Sequence, residues 1–308
     1  MARTTTIRAL RPDDAAAVVR IDRERGGRSR TEFYAKRFQT LAADPRAFVA
    51  VAAEQAGLVV GFAFARVLDG EFGGVAPAGA LDAIGVTAEQ EREGVATSLL
   101  SGLEAALAAR GVRELRTQVE WTEHGTAAFF AASGFRLAPR VVLVRSLERP
   151  ASDESSFEPF PVRSLTEEDL PAIARLDRKV TGRDRARYLA RKAGEVLRES
   201  AIRVSLVAEV EGQLAGFLMA RVDFGEFGRT EPTAVLDTIG VDPDHGRRGV
   251  GGALLEQQLL EQLLLNLGSL RVERVITEVE WNHLPLLGVL GRTGFGHAQR
   301  LAFDKTLA

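Results

Sequence analysis

The 308-residue sequence contains no cysteine, and it has only two tryptophans, two tyrosines and four histidines. The lack of cysteine excludes disulfides, thiolate metal sites and a cysteine nucleophile, and it fits a reducing cytoplasm. The histidines show no metal-ligand spacing, so we expect no metal site. Basic and acidic residues nearly cancel, at 40 against 42, which argues against a nucleic-acid partner. No run approaches the roughly 20 apolar residues of a membrane helix, and the first residues do not resemble a signal peptide. These absences predict a cytoplasmic protein without nucleic-acid or membrane partners.

The sequence does contain an internal repeat. Gly61 and Gly216 lie 155 positions apart (216 − 61), and the Gly-Glu-Phe-Gly segment at 70–73 recurs at 225–228 with the same shift. The register holds without a gap for about 90 residues, which chance does not produce. Further along, Trp121 matches Trp281 at a shift of 160 (281 − 121), so five extra residues belong to the second copy's leucine-rich helix or the turn after it. We predict two copies of one domain, at 1–148 and 161–308, joined by a Pro-, Ser- and acid-rich linker at 149–160.

Each copy predicts the same order of elements. A short strand and a helix with an acidic start precede an Arg-rich helix at 31–43 or 184–199 and a hairpin of two strands. A strand at 79–86 or 233–241 then enters a glycine-containing turn and a long amphipathic helix. An alternating strand, a short helix and one or two final strands close each copy. The fold class is α/β, of the mixed α+β type, with a mostly antiparallel sheet flanked by helices in each domain.

The turn into the long helix is the strongest local motif. In the second copy it reads His-Gly-Arg-Arg-Gly-Val-Gly-Gly at 245–252, after a strand that ends near Val241. Glycines let a ligand approach the backbone, while the N–H groups and dipole of a helix start attract an anion, and two arginines add charge. The motif is neither a GxxxxGK[ST] phosphate loop nor a GxGxxG dinucleotide fingerprint. Taken alone, a bland tight turn explains it equally well.

In its full context the turn resembles that of the GNAT superfamily of N-acetyltransferases, whose signature (Gln/Arg)-x-x-Gly-x-(Gly/Ala) is matched at Gly249 and Gly251. The resemblance extends over nearly all of each copy, and the two-copy layout is similar to that of mycothiol synthases. It implies acetyl-CoA as the cofactor, and a Val241 N–H that polarises the thioester carbonyl. The implied cofactor-binding residues are Ile239, Gly240, Val241, Gly246, Arg247, Arg248, Gly249, Val250, Gly251, Gly252 and Asn282.

The sequence also departs from the family pattern. Gly246 replaces the first signature residue, although Arg247 beside it offers compensation. In the first copy, Glu91 takes this position and Glu93 adds a second negative charge, which opposes phosphate binding. We therefore expect only the carboxyl-terminal copy to bind the cofactor. The tyrosine that protonates the leaving thiolate in the family is replaced by Phe130 and Leu290, so a tyrosine acid is excluded there.

Three acids of the second copy are candidate catalytic bases, since an amine acceptor must lose a proton. Asp237 is expected to share the strand face of Ile239 and Val241, and its alternative role is an ion pair with a nearby arginine such as Arg221. Glu280 lies on the alternating strand and is otherwise a solvated or ion-paired residue. Glu226 lies in the preceding loop, where a role in stabilising the turn is equally open.

Two function classes follow from these residues. The leading hypothesis is an acetyl-CoA-dependent N-acetyltransferase, in which a small amine attacks the thioester directly in the carboxyl-terminal domain. The alternative is a non-catalytic acyl-CoA-binding sensor or scaffold, because the tyrosine is missing and the signature is altered. A monomeric pseudo-dimer or a homodimer is expected. Trp121 and Trp281 are expected to pack in the core rather than to line an acceptor pocket.

Overall fold

A computed structural model describes residues 4–26, 30–68, 77–147, 160–199, 204–224, 232–244, 252–270 and 272–308. The amino-terminal half comprises β1 (Thr6–Ala9), α1 (Ala15–Gly26), α2 (Thr31–Ala43), β2 (Phe48–Gln55), β3 (Leu58–Leu68), β4 (Ala78–Val86), α3 (Val95–Ala108), β5 (Glu114–Glu120), α4 (His124–Ala132), β6 (Arg136–Leu137) and β7 (Arg140–Ser146). The carboxyl-terminal half comprises β8 (Val162–Ser164), α5 (Leu170–Thr181), α6 (Ala186–Glu199), β9 (Leu206–Val210), β10 (Gln213–Phe224), β11 (Pro232–Val241), α7 (Gly252–Gly268), β12 (Arg274–Glu280), α8 (Leu284–Arg292), β13 (Gly296–His297) and β14 (Arg300–Thr306).

The two halves form two mixed sheets of seven strands, each flanked by helices, as the repeat predicts. Within each half, the first strands form antiparallel hairpins. The turns Ala56-Gly57 and Glu211-Gly212 both adopt positive φ, the conformation that a two-residue hairpin turn requires. The fourth and fifth large strands of each half run parallel and are connected by a long helix.

The last long strand of each half joins the sheet of the other half. One sheet has the order β1-β2-β3-β4-β5-β14-β6, and the other has the order β8-β9-β10-β11-β12-β7-β13. Thus β7 pairs with β12 from Arg140 opposite Glu280 onward, and β14 pairs with β5 from Arg300 opposite Glu120 onward. The expectation that final strands close their own copy is therefore wrong for β7 and β14. Because the two copies present equivalent strand edges, the sequence pattern of either strand suits both partners.

The long helices α3 and α7 cover one face of their sheets. Four leucines spaced four apart on α7 are fully buried, as the helical pattern predicts: Leu255, Leu259, Leu263 and Leu267. In the 155 and 160 alignments Leu255 matches Leu100 and Leu263 matches Leu103, so the five extra residues lie within α7 itself.

The opposite face is covered by α1 and α2 in the first half, and by α5 and α6 in the second. Large aromatic side chains fill the first of these cores, namely Phe33, Tyr34, Phe62 and Phe64. Their counterparts at the 155 shift in the second half are Tyr188, Leu189, Phe217 and Met219. No helix among the described ranges combines the length and apolarity that crossing a membrane requires.

Candidate functional site

The two parallel strands of the carboxyl-terminal half separate halfway along their length. Pairing between β11 and β12 covers only 233–235 with 274–276, although β11 continues to Val241 and β12 to Glu280. At the point of separation, the Thr277 hydroxyl donates a hydrogen bond to the Leu236 carbonyl at 3.1 Å. The first half has the same arrangement, with Thr117 donating to Leu81 at 3.3 Å. Each half therefore contains a gap between two strands.

Backbone groups of β11 point into this gap. The Asp242 N–H donates to the Ala215 carbonyl at 2.8 Å, so alternate residues of β11 face β10. By this alternation the N–H and C=O groups of Ile239 and Val241 face away from β10, toward the gap. The backbone N–H and C=O groups of Gly240 face β10, and a Cβ on Gly240 would lie 2.7 Å from the Phe217 ring. Gly240 is thus a glycine because Phe217 packs against it.

The gap continues into an open cleft of about 420 Å³ between the end of β11, the start of α7 and the helix α8. Gly252, Leu284 and Val289 are among its lining residues, and Asp242, Glu256 and Arg292 provide charge. Burial raises the pKa of Glu256, and the positive charge of Arg292 opposes that shift.

Sequence reasoning missed two of the three charged residues that line this cleft, Glu256 and Arg292. Their counterparts in the first copy, at shifts of 155 and 160, are Ser101 and Ala132. Comparing the two copies along their helices, and not only at the turn, reveals these charge differences from the sequence.

The equivalent turn of the first half is occupied by its own hydrogen bonds. The N–H groups of Glu91 and Glu93 donate to the carbonyls of Ala88 and Gln90, at 3.3 and 3.4 Å. The Gln90 side chain in turn accepts a hydrogen bond from Gln55 at 2.8 Å. Glu91 and Glu93 are both exposed, so two carboxylates stand at this helix start. The corresponding turn of the second half, with Gly246, Arg247, Arg248, Gly249, Val250 and Gly251, lies outside the described residues, as does Glu226.

Asp237 lies in a β-bulge of β11. Met219 pairs with Thr238 and Ala220 pairs with Leu236, so Asp237 has no residue opposite it. Its Oδ2 lies 3.4 Å from the Lys192 Nζ and 3.2 Å from the Arg221 Nε.

The bulge changes which face Asp237 occupies. Lys192 belongs to α6, whereas Leu236, Ile239 and Val241 pack in the core under α7. The expectation that Asp237 shares a face with Ile239 and Val241 is wrong, because the extra residue of the bulge inverts the alternation. The first half repeats this geometry, with Asp82 3.0 Å from Arg37 and 3.8 Å from Arg66. The ion-pair alternative for Asp237 is the arrangement that the structure shows.

Glu280 ends β12 and is exposed. It lies on the face of the sheet opposite to α7, because its neighbour Val279 packs in the core under that helix. The parallel register ends with Val235 opposite Ile276, and beyond it the strands separate and the bulge adds one residue to β11, so Glu280 lies across the gap from the carboxyl-terminal end of β11. Asn282 follows in the exposed turn that leads into α8.

Trp121 and Trp281 are 52% and 62% exposed, so the expectation that they pack in the core is wrong. The strands end one residue earlier, at Glu120 and Glu280, and the apolar alternation continues past the strand. The residues at the tyrosine position, Phe130 and Leu290, are buried in the two cores.

Comparison with known proteins places this arrangement among acyltransferases. A model of the acetyltransferase (GNAT) family matches residues 16–135 and 167–295. A comparison with curated proteins finds no match.

Solved structures share the fold over the whole length of the chain. A tandem GNAT protein from the clavulanic acid biosynthesis pathway aligns with a TM-score of 0.67 at 18% identity, covering 99% of both chains. A glucosamine N-acetyltransferase region of a fungal multi-domain beta-N-acetylglucosaminidase aligns with a TM-score of 0.67 at 15% identity, covering 99% of this chain but only 38% of that one. Saccharomyces cerevisiae N-myristoyltransferase with bound myristoyl-CoA aligns with a TM-score of 0.59 at 10% identity, covering 100% and 79%. At these identities the similarity shows a common fold.

Proposed function

Because the chain belongs to the acetyltransferase (GNAT) family, whose members use acetyl-CoA, we propose that its carboxyl-terminal half acetylates a small amine. The observation that carries this proposal is the gap between β11 and β12, which continues into the cleft beside α7 and α8. It brings together unpaired strand backbone, a helix start and a positive charge, which are the groups that an acyl-CoA needs.

The residues of this half fit acetyl-CoA. The N–H and C=O groups of Ile239 and Val241 are polar groups at a strand edge, suited to the amides of pantetheine. A Cβ added to Gly252 would lie 3.7 Å from a Val241 methyl, so the glycine leaves the start of α7 open without being sterically required. Arg292 offers a guanidinium for a phosphate, and Asn282 lies at the entrance to α8.

Acetyl-CoA, when bound, supplies a thioester whose carbon–sulfur bond breaks as the amine nitrogen forms its bond to the carbonyl carbon. Val241 directs an N–H into the gap, where it stabilises negative charge on a carbonyl oxygen. Glu280, at the end of β12 and open to solvent, accepts the proton that the amine nitrogen releases. The ion pairs of Asp237 with Lys192 and Arg221 stabilise β11 beside the site. Water protonates the thiolate, because Leu290 cannot.

The amino-terminal half is proposed not to bind acetyl-CoA. Two exposed carboxylates, Glu91 and Glu93, stand where phosphates would approach. This half instead supplies β7 to the sheet of the active half.

A non-catalytic acyl-CoA sensor is the second candidate, favoured by the buried Leu290 at the position of the family's proton donor. The two functions differ in turnover. Release of free CoA, followed with a thiol reagent across a panel of small amines, supports the transferase. Tight acetyl-CoA binding without release on any amine supports the sensor.

Calorimetry with acetyl-CoA tests the assigned half. We expect one site per chain, and Gly252→Glu should abolish binding because it adds a carboxylate at the start of α7. The matched variant Thr97→Glu, at the equivalent exposed position of α3, should bind normally. Two sites per chain, or loss of binding only in Thr97→Glu, would overturn the assignment to the carboxyl-terminal half.

A further inference from the structure

A chain of charged and polar side chains crosses the junction where the two sheets exchange strands. Arg300 Nε on β14 forms an ion pair with Glu120 at 3.1 Å, and Arg300 Nη1 donates to the Gln118 side chain at 3.3 Å. Gln118 donates to Glu278 of the other half, and Glu278 accepts from Arg140 Nε at 3.0 Å. The chain of contacts thus runs from β14 through β5 to β12 and β7.

The same network continues from Arg140 to a second acid. Arg140 Nη1 donates to Asp304 Oδ2 at 3.0 Å, and the Arg140 side chain is only 6% exposed. Burial lowers the pKa of Arg140, but the negative charges of Glu278 and Asp304 outweigh it and raise that pKa overall. Arg140 is therefore a buried cation that hydrogen-bonds to two acids, and a third, Glu114, lies 3.7 Å from its Nη1.

The two exchanged arginines occupy equivalent positions but choose different partners. Arg300 lies directly opposite Glu120, and Arg140 lies directly opposite Glu280. Arg300 Nε contacts Glu120, the glutamate directly opposite it, whereas Arg140 Nε contacts Glu278 rather than the opposite Glu280. Among the described residues, Glu280 is left without an ion pair, although its counterpart Glu120 has one.

Two substitutions between the copies explain this difference. Gln118 is replaced by Glu278, which turns a neutral neighbour of the arginine into an acid. Val144 is replaced by Asp304, which adds a second acid on the neighbouring strand. Because a buried guanidinium is held most strongly by well-placed carboxylates that are themselves partly buried, Arg140 turns toward them and away from the exposed Glu280.

We propose that Glu278 and Asp304 are positioning residues that keep Arg140 away from Glu280, and so leave the Glu280 carboxylate available to the amine acceptor. The inference rests on the proposed acetyl transfer. It assigns the acceptor a protonated amine, since an open carboxylate holds an ammonium group and then receives its proton. It also gives the amino-terminal half a role, because β7 carries Arg140 into the active sheet.

The variant Glu278→Gln removes one of the two acids that hydrogen-bond to Arg140, and Glu278→Gln/Asp304→Val replaces both with the residues found at the matching positions beside Arg300. A crystal structure of each should show Arg140 Nε in an ion pair with Glu280, as Arg300 Nε is with Glu120. We expect kcat/KM for the amine to fall at least about tenfold, approaching the loss in Glu280→Gln, while KM for acetyl-CoA stays unchanged. In a Glu280→Gln background, Glu278→Gln should cause no further loss. Glu273→Gln, an exposed acid beside the other end of β12, is the control and should leave turnover unchanged.

The outcomes separate this inference from the proposed function. If Arg140 stays in place in both variants, or if it moves to Glu280 without loss of turnover, the positioning role is overturned. The single variant retains Asp304 on Arg140, so it provides the measurement if the double variant unfolds. A wild-type protein that releases no CoA with any amine overturns the proposed function itself, and this inference falls with it.

Discussion

Replacing Asp237 with asparagine tests the reading of this residue as a structural ion pair. The carboxylate is buried and lies 3.2 Å from Arg221 and 3.4 Å from Lys192, which is itself only 2% exposed. At these distances and an effective dielectric constant near 20, each pair contributes about 5 kcal/mol of attraction before desolvation. Since removal of one partner of a buried pair typically costs about 3–5 kcal/mol, we expect Asp237→Asn to lower the free energy of unfolding by that amount.

Urea denaturation followed by circular dichroism measures this loss as a lower midpoint at an unchanged slope. Asp82→Asn, in the equivalent bulge of the first half, should lose at least as much, because its carboxylate is fully buried. Asp244→Asn removes an exposed partner of Lys179 at 2.6 Å and should leave the urea midpoint almost unchanged, because solvent screens this pair. Below the temperature at which it unfolds, Asp237→Asn should retain turnover to within a few-fold.

Two results would refute this reasoning. A stability of Asp237→Asn equal to that of the wild type would show that the ion pairs do not hold the bulge. Abolished turnover in a fully stable Asp237→Asn protein would show that Asp237 is a catalytic base, and Glu280 would lose that role.

Three further predictions follow from charge and topology. Glu256→Gln should tighten acetyl-CoA binding measured by calorimetry, because it removes a negative charge from the cleft. Since the pKa of Glu256 is raised, the affinity of the wild type should also increase on acidification, while that of the variant should not. Glu261→Gln, on the exposed side of α7, is the control. Hydrogen bonds from Arg8 and Arg163 lower the pKa values of Asp14 and Asp169, so these acids stabilise the fold above their unfolded pKa near 3.8 and lose that contribution as the pH falls further. In Asp14→Asn the free energy of unfolding should therefore fall less steeply with pH in the acid range. An unchanged dependence on pH would contradict this role of Asp14. A chain that ends at residue 299 should lose amide-exchange protection in β5 of the amino-terminal half, and protection lost only in the carboxyl-terminal sheet would contradict the strand exchange.

Much of the fold was predictable because the sequence contains it twice. The helical spacing of Leu255, Leu259 and Leu263 predicts a core-facing helix, and the structure buries all three. The turn Glu211-Gly212 predicts a hairpin, which forms between β9 and β10. The family resemblance, the mixed sheets and acetyl-CoA as the family's cofactor are confirmed by the family match. The similarity to mycothiol synthases and the cofactor residues at 246–251 stay predictions.

The features that sequence reasoning missed depend on contacts between distant residues. A bulge at Asp237 is invisible to a period-two pattern, because the pattern assumes an uninterrupted strand. The exchange of β7 and β14 is equally hidden, since both sheets offer the same edge to either strand. The exposure of Trp281 depends on where β12 ends, and element boundaries are poorly specified by local sequence. The ion pair of Arg140 with Glu278 rather than Glu280 depends on the strand exchange that brings β7 beside β12, so local sequence does not predict it.

The exchanged strands also set the order in which this protein becomes complete during synthesis. The amino-terminal sheet needs residues 300–306, so the edge of β5 stays uncovered until those residues have left the ribosome. The carboxyl-terminal sheet, in contrast, finds its borrowed strand β7 already synthesised. A nonsense mutation or a proteolytic cut near position 300 would therefore injure the half that is farthest away along the chain. Neither half is expected to be separable as an independently expressed unit.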